Sequence, residues 1–144
     1  MKKYVAGFLF DINKEKVVLI KKNRPDWQMG FLNAVGGSVE FGESSLDAMK
    51  REFKEETNVE INDWEHFASV EKGDFIVDFF RAFSEKYLDV RSVTDEKVNI
   101  YEVKSISDLK IIDNLNWLIP LGLLSKNEYY RLVESGEIDK ILKN

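Results

Sequence analysis

Four carboxylates and one guanidinium fall at fixed offsets between Gly37 and Val59: Glu43, then Arg51 and Glu52, then Glu55 and Glu56. Oxygen donors of this kind suit hard divalent cations, and Mg²⁺ binds through a few carboxylates together with substrate phosphates. The order is suited to holding a divalent metal against a diphosphate. On one helix Glu52, Glu55 and Glu56 would project within an arc of roughly 100°. Like charges so placed destabilise an isolated helix by ~0.2–0.5 kcal/mol per pair, a cost that a shared cation offsets. Gly36 and Gly37 let the backbone approach a metal or phosphate closely, and leave a carbonyl free as an oxygen ligand. Glu43 and Arg51 can pair across the intervening loop and fix it against the helix. Taken singly, each residue also reads as a solvated charge or a tight turn; the joint spacing carries the chemistry.

The elements around this stretch must position it. Ser45 to Thr57 is predicted as a helix, with Ser44 and Asp47 spaced as a capping box and Leu46, Met49 and Phe53 as its apolar face. Asn58 is placed to close it as a left-handed cap. Tyr4–Asp11 and Lys16–Lys21 read as a hairpin around Ile12–Glu15, followed by a polar loop over Asn23–Gly30. Phe31–Val35 is predicted as a short strand running into the diglycine, with Ser38–Phe41 extended beyond it. Further strands are expected at Trp64–Val70, Asp74–Phe83 and Val98–Ile106, and helices at Leu115–Leu124 and Asn127–Glu134. Strands mixed with two or three helices imply an α/β fold, a mixed sheet with helices on both faces.

In this order the residues resemble the Nudix box. Gly37, Glu43, Arg51, Glu52, Phe53, Glu55, Glu56 and Val59 match that pattern over 23 residues, and Asn58 stands where the family has glycine. Asn is the non-glycine residue that best tolerates a left-handed backbone, so the departure is mild. The resemblance implies a Nudix-type α/β/α sandwich over residues 1–144. It also implies hydrolysis of a nucleoside diphosphate linked to another group, with Mg²⁺ or Mn²⁺ as cofactor. By similarity Glu52, Glu56 and the Gly36 carbonyl are metal ligands, and Glu55 is a ligand or the general base. Family members differ in which glutamate is the base, so Glu52 and Glu55 both stay open. Glu96, on a later loop, is the expected additional ligand; Arg51 and Glu43 complete the catalytic set.

Signatures that mark several other Nudix subgroups are absent from the residues after the box, and no cysteine is present for isoprenoid isomerase chemistry. A nucleoside triphosphate is therefore the leading substrate, with oxidised purines as the narrower reading. The alternatives are a nucleotide sugar, a capped RNA end, or a Nudix domain that senses nucleotide without hydrolysis. Phe31–Gly37 resembles members that clear oxidised purine nucleotides, in which an asparagine just before the diglycine reads the base; Asn33 is its counterpart. Gly37 belongs to the substrate-binding set with Asn33. Asp113 and Asn114 are expected to add polar base contacts, Trp117 and Trp27 stacking surfaces, and Lys21 and Arg24 phosphate contacts.

Composition bounds the rest. With 44% hydrophobic and 33% charged residues the chain is globular rather than disordered. A net charge of −5 argues against a protein that coats duplex nucleic acid. No apolar run approaches the ~20 residues of a membrane span, and the opening segment reads as a strand rather than a signal peptide. Without cysteine there is no disulfide framework, and a cytoplasmic location is the expectation. A homodimer is the assembly the family resemblance would suggest. The single histidine, His66, is expected to be structural.

Overall fold

Strand β1 (Lys2–Phe10) is the centre of the molecule because both of its faces are buried. Phe8, Leu9 and Phe10 are wholly inaccessible, which is why this stretch reads as a continuous apolar run rather than an alternation. The structure is a computed structural model that describes residues 1–124, 128–133 and 138–142. Strand β2 (Lys16–Lys21) returns antiparallel after a turn in which Lys14 takes a positive φ of 61°. Asp11 holds that turn, its Oδ1 accepting from the backbone N–H groups of Glu15 and Lys16, each at 2.7 Å.

The two strands meet only near the hairpin, at Phe10 and Val17. Further along, β4 (Val35–Ser38) takes the edge of β1 instead, pairing Tyr4–Gly7 with Ser38–Val35. Short β3 (Leu32–Asn33) and β7 (Val98–Glu102) pair with β2. On its other edge β1 runs parallel to β6 (Phe75–Phe83), which pairs antiparallel with β5 (Glu65–Lys72). Beyond β5 lie β8 (Glu128–Leu132), parallel to it, and β9 (Ile138–Leu142). The sheet is thus mixed, as expected.

Helix α1 (Ser45–Thr57) covers one face and α2 (Leu115–Gly122) the other. Alternation along the strands sorts the core between them. Val5, Leu9, Val18 and Ile20 pack with Ala48, Met49 and Phe53 of α1. Phe8, Phe10, Val17 and Leu19 pack with Leu115, Leu118 and Ile119 of α2. Burying side chains of this size contributes about 1.5–3 kcal/mol each. Among the described residues, no helix is long and apolar enough to cross a membrane.

Helix α1 begins and ends as its residues dictate. Ser44 Oγ accepts from Asp47 N–H at 3.0 Å, and Asn58 adopts φ 62°, ψ 17° with its N–H on the Lys54 carbonyl. A buried polar contact fastens its first turn to the sheet: Ser45 Oγ and Ser69 Oγ each donate to Asp78 at 2.7 Å. Burial works against the Asp78 charge, yet hydrogen bonds from His66, Ser45 and Ser69 hold its carboxyl below the usual range. His66 stacks on Phe80 at 5.0 Å and contacts Ser69 Oγ at 3.0 Å, a structural role.

Several expectations change. Leu46 is 38% exposed, and the buried face of α1 is Ala48, Met49, Phe53 and Thr57. The expected helix at Asn127–Glu134 is strand β8 over Glu128–Leu132, since Tyr129 and Tyr130 are strand formers that find the open edge of β5; Asn127 and Glu134 lie outside the described residues. The segment Val98–Ile106 is extended only to Glu102 and then turns into a 3₁₀ helix, Val103–Asp108. Helix α2 stops at Gly122 rather than Leu124.

Candidate active site

The diglycine lies inside strand β4 rather than in a turn, and each glycine is demanded by a different neighbour. A Cβ on Gly36 would fall 1.9 Å from the Val5 carbonyl oxygen, so the close approach of β4 to β1 requires glycine there. A Cβ on Gly37 would fall 2.4 Å from Glu52 Cδ and Oε1 and 2.6 Å from Oε2. The Glu52 carboxylate therefore rests in the space that the missing Gly37 side chain leaves. Strand β4 and helix α1 are joined at this contact.

Arg51 organises the surrounding carboxylates. Its Nε and NH2 donate to Glu43 at 2.8 and 2.9 Å, a two-pronged pair that fixes the loop as its spacing implied. NH1 donates to Glu52 at 2.9 Å and reaches Glu55 at 3.4 Å, while NH2 also donates to the Ser38 carbonyl at 2.9 Å. One guanidinium so ties β4, the loop and α1 together. Bonds from Arg51, and from the Glu40 backbone, hold the Glu43 carboxyl at about 2. The Glu52 carboxyl moves the other way: burial raises it, Arg51 opposes, and the charges of Glu55 and Glu56 add to the rise. Glu55 is exposed, and Glu56 accepts from Thr94 Oγ1 at 2.9 Å.

The donor set around Gly36 and Gly37 is all oxygen, the kind that Mg²⁺ or Mn²⁺ takes. Glu52 fits this use best, as a desolvated carboxylate already seated against the β4 backbone. Among the described residues no three Asp, Glu or His side chains converge on one point; Arg51 NH1 takes Glu52 and Glu55, and Thr94 takes Glu56. Glu96 is buried at 4% exposure and is already committed. It accepts from Asn23 N–H at 2.7 Å and Lys22 Nζ at 3.1 Å, and these bonds outweigh burial to keep its carboxyl low. Its neighbour Asp95 pairs with Arg24 at 2.6 Å. This loop braces the chain that follows β2 and, through Thr94, the end of α1.

Beside the glycines opens a cavity of about 1110 Å³. Of the residues expected at the substrate, Arg24, Trp27, Asn33, Gly37, Asp113 and Asn114 line it, together with Gly36, expected as a metal ligand. Two do not: Lys21 is exposed at the end of β2, and Trp117 packs against the core beneath α2. Tyr4, Gln28 and Phe75 line it as well, without having been expected. Tyr4 and Phe75 meet edge to face at 6.1 Å, an aromatic wall built from two parallel strands that only pairing brings together. The buried Oδ1 of Asn114 has no hydrogen-bond partner among the described residues. A smaller cavity of about 430 Å³, beside Glu65 and Arg81, shares no residue with this one.

The family model described as NUDIX domain matches residues 1–128. A comparison with curated proteins found no match. Among solved structures the chain is similar to the mutator MutT protein from Bacillus halodurans, at 18% identity and a TM-score of 0.71 over 99% of this chain and 97% of that one. A MutT from a comparison of Aliivibrio salmonicida with Vibrio cholerae aligns at 18% identity and a TM-score of 0.70, over 86% and 98%. The NUDIX domain of Shewanella oneidensis NrtR, complexed with ADP ribose, aligns at 18% identity and a TM-score of 0.67, over 83% and 84%. At these identities the likeness is one of fold.

Proposed function

The chain belongs to the Nudix family, and from that premise we propose that it is a metal-dependent pyrophosphohydrolase. Its substrate in this reading is a nucleoside or deoxynucleoside triphosphate, oxidised purines included, and its products are the monophosphate and pyrophosphate. One observation carries the proposal: the half-buried Glu52 carboxylate fills the space over Gly37, at the rim of a cavity large enough for a nucleotide. Glu52, Glu56 and the Gly36 carbonyl are the ligands proposed for Mg²⁺ or Mn²⁺, with Glu55 joining them only where it does not serve as the base. Glu96 could join them only by sharing oxygens already bonded to Asn23 and Lys22. When bound, the cation would supply neutralisation of the phosphate oxygens and a lowered pKa for water.

The chain's own residues do the rest. Arg51 keeps Glu43 and Glu52 in place and orders the loop before α1. Glu55, exposed and held at only 3.4 Å, is free to move and is the proposed general base, with Glu52 the second choice. It takes a proton from water as the water oxygen forms a bond to phosphorus. The bridging P–O bond breaks, and pyrophosphate leaves with the electron pair. Arg24 and Lys22 lie where they can meet phosphates, while Asn33, Asp113, Asn114 and Trp27 contact the base.

A panel of nucleoside triphosphates, nucleotide sugars and dinucleotides, incubated with Mg²⁺ and scored for monophosphate and pyrophosphate, tests the proposal. Turnover of a triphosphate, lost in Glu56→Gln, is the expected result; inactivity on every triphosphate would overturn it. A sensing domain without catalysis is the second reading, motivated by the fold likeness to NrtR. The full set of box glutamates weighs against it.

A further inference from the structure

The orientation of the Asn33 side chain is set by a group that allows no choice. Its Oδ1 accepts from the Ala34 backbone N–H at 2.7 Å. A backbone N–H can only donate, so the opposite end of the amide must be the NH2 group. That group donates to Gln28 Oε1 at 3.0 Å. Gln28 is thereby oriented too: its oxygen faces Asn33, and its own NH2 is left to point elsewhere. One backbone N–H thus sets the polarity of two side-chain amides in succession.

Both side chains line the large cavity, and neither has a further hydrogen-bond partner among the described residues. Three N–H bonds are then available to a ligand, two on Gln28 and one on Asn33. Asp113 lines the same cavity, and its carboxylate is exposed and can only accept. The cavity pairs a wall of donors with a separate acceptor.

We infer that Gln28 is a specificity-determining residue, which with Asn33 selects a purine edge carrying two adjacent acceptors. Guanine offers such an edge through O6 and N7, whereas adenine places the N6–H₂ donor beside N7. Oxidation at C8 puts a proton on N7, so the edge is that of the unoxidised base. The donors of guanine, N1–H and N2–H₂, then fall to Asp113. The inference rests on the reading of this cavity as the nucleotide site. The plainer role for Gln28 is to fasten its short 3₁₀ helix, Asp26–Gln28, to β3.

Gln28→Glu separates the two roles. The carboxylate still accepts from Asn33, so a bracing function survives, but an oxygen replaces the NH2 that faces the ligand. Its added charge repels both phosphates alike and cancels in a ratio. The experiment is calorimetric binding of GMP and AMP, without metal or turnover, to the parent, Gln28→Glu and Gln28→Leu. The parent is expected to favour GMP; Gln28→Glu lowers the GMP to AMP affinity ratio about tenfold, and Gln28→Leu weakens GMP with little effect on AMP. Gln28 is only half-buried, and unchanged thermal midpoints would confirm that both variants fold. A parent that binds both equally, or a Gln28→Glu ratio equal to the parent's, overturns the inference even if triphosphates are hydrolysed. A GMP preference that Gln28→Glu abolishes upholds it even if no triphosphate is hydrolysed, in which case catalysis is the reading that falls. Failure of GMP to bind the parent overturns it as well.

Discussion

Alanine at Gly37 and at Gly36, adjacent positions in one strand, should have opposite consequences. At Gly37 the new Cβ lands 2.4 Å from the Glu52 carboxyl, and ordinary contact begins at 3.4 Å. The carboxylate must retreat by about 1 Å, and a misplacement of that size costs on the order of 100-fold in rate. Stability changes little, because the displaced group is the end of a flexible side chain. Alanine also restricts the unfolded chain, a gain of about 0.4–1 kcal/mol. The thermal midpoint should stay within about 4 °C of the parent. At Gly36 the new Cβ lands 1.9 Å from Val5 O and 2.8 Å from Ala6 Cα, both backbone atoms that cannot swing away. Strand β4 must part from β1, at a cost of about 3 kcal/mol and a drop in midpoint of about 10 °C. The assay is kcat for the best triphosphate of the panel, with calorimetric melting of the same samples. If Gly37→Ala turns over within about threefold of the parent, the seat of Glu52 over Gly37 has no part in the rate. A Gly36→Ala that melts like the parent would refute the packing argument.

Glu55→Gln should lower kcat by about 10²–10⁴ with the nucleotide KM nearly unchanged, as expected of a general base; an equal loss in Glu52→Gln alone would move that role to Glu52. Glu96→Gln removes the charge that Lys22 and Asn23 share, so it should cost ~1–3 kcal/mol in denaturant melts and raise the nucleotide KM. A change in Mg²⁺ dependence instead would make Glu96 a ligand rather than a brace. Glu43 has a folded value of about 2 against an ordinary 4.5. Its ionised form thus contributes stability above pH 4.5 that is lost as pH falls from 4.5 towards about 2. Glu43→Gln should flatten that part of the acid unfolding curve, and an unaltered curve would contradict the pairing with Arg51.

What was legible in the chain was local. The ends of α1 follow from Ser44 and Asn58, whose caps depend only on neighbours a few residues away. The Glu43–Arg51 pair follows from one loop and two helical turns. The register of α1 was less legible: Leu46 fits an apolar spacing with Met49 and Phe53, but Ala48 and Thr57 complete the buried face and Leu46 stays exposed. Gly36 and Gly37 read as a turn because glycine usually is one; their neighbours, Val5 and Glu52, belong to other elements. Trp117 looked like a stacking surface, yet α2 turns it onto the core. Gln28 had no signal at all, since its meaning comes from a hydrogen bond to Asn33 and a cavity wall assembled from distant strands. Strand β8 was missed because Glu128–Leu132 alone cannot report that β5 on one side and β9 on the other are there to pair with it.

The central claim is water attack that releases pyrophosphate from a nucleoside triphosphate. Incubation with a purine triphosphate and Mg²⁺ in heavy-oxygen water, followed by mass analysis of both products, addresses it most directly. The expected result is nucleoside monophosphate and pyrophosphate in equal amounts, with one labelled oxygen in one of them only. Inorganic phosphate with the nucleoside diphosphate, or no product from any triphosphate, would contradict it.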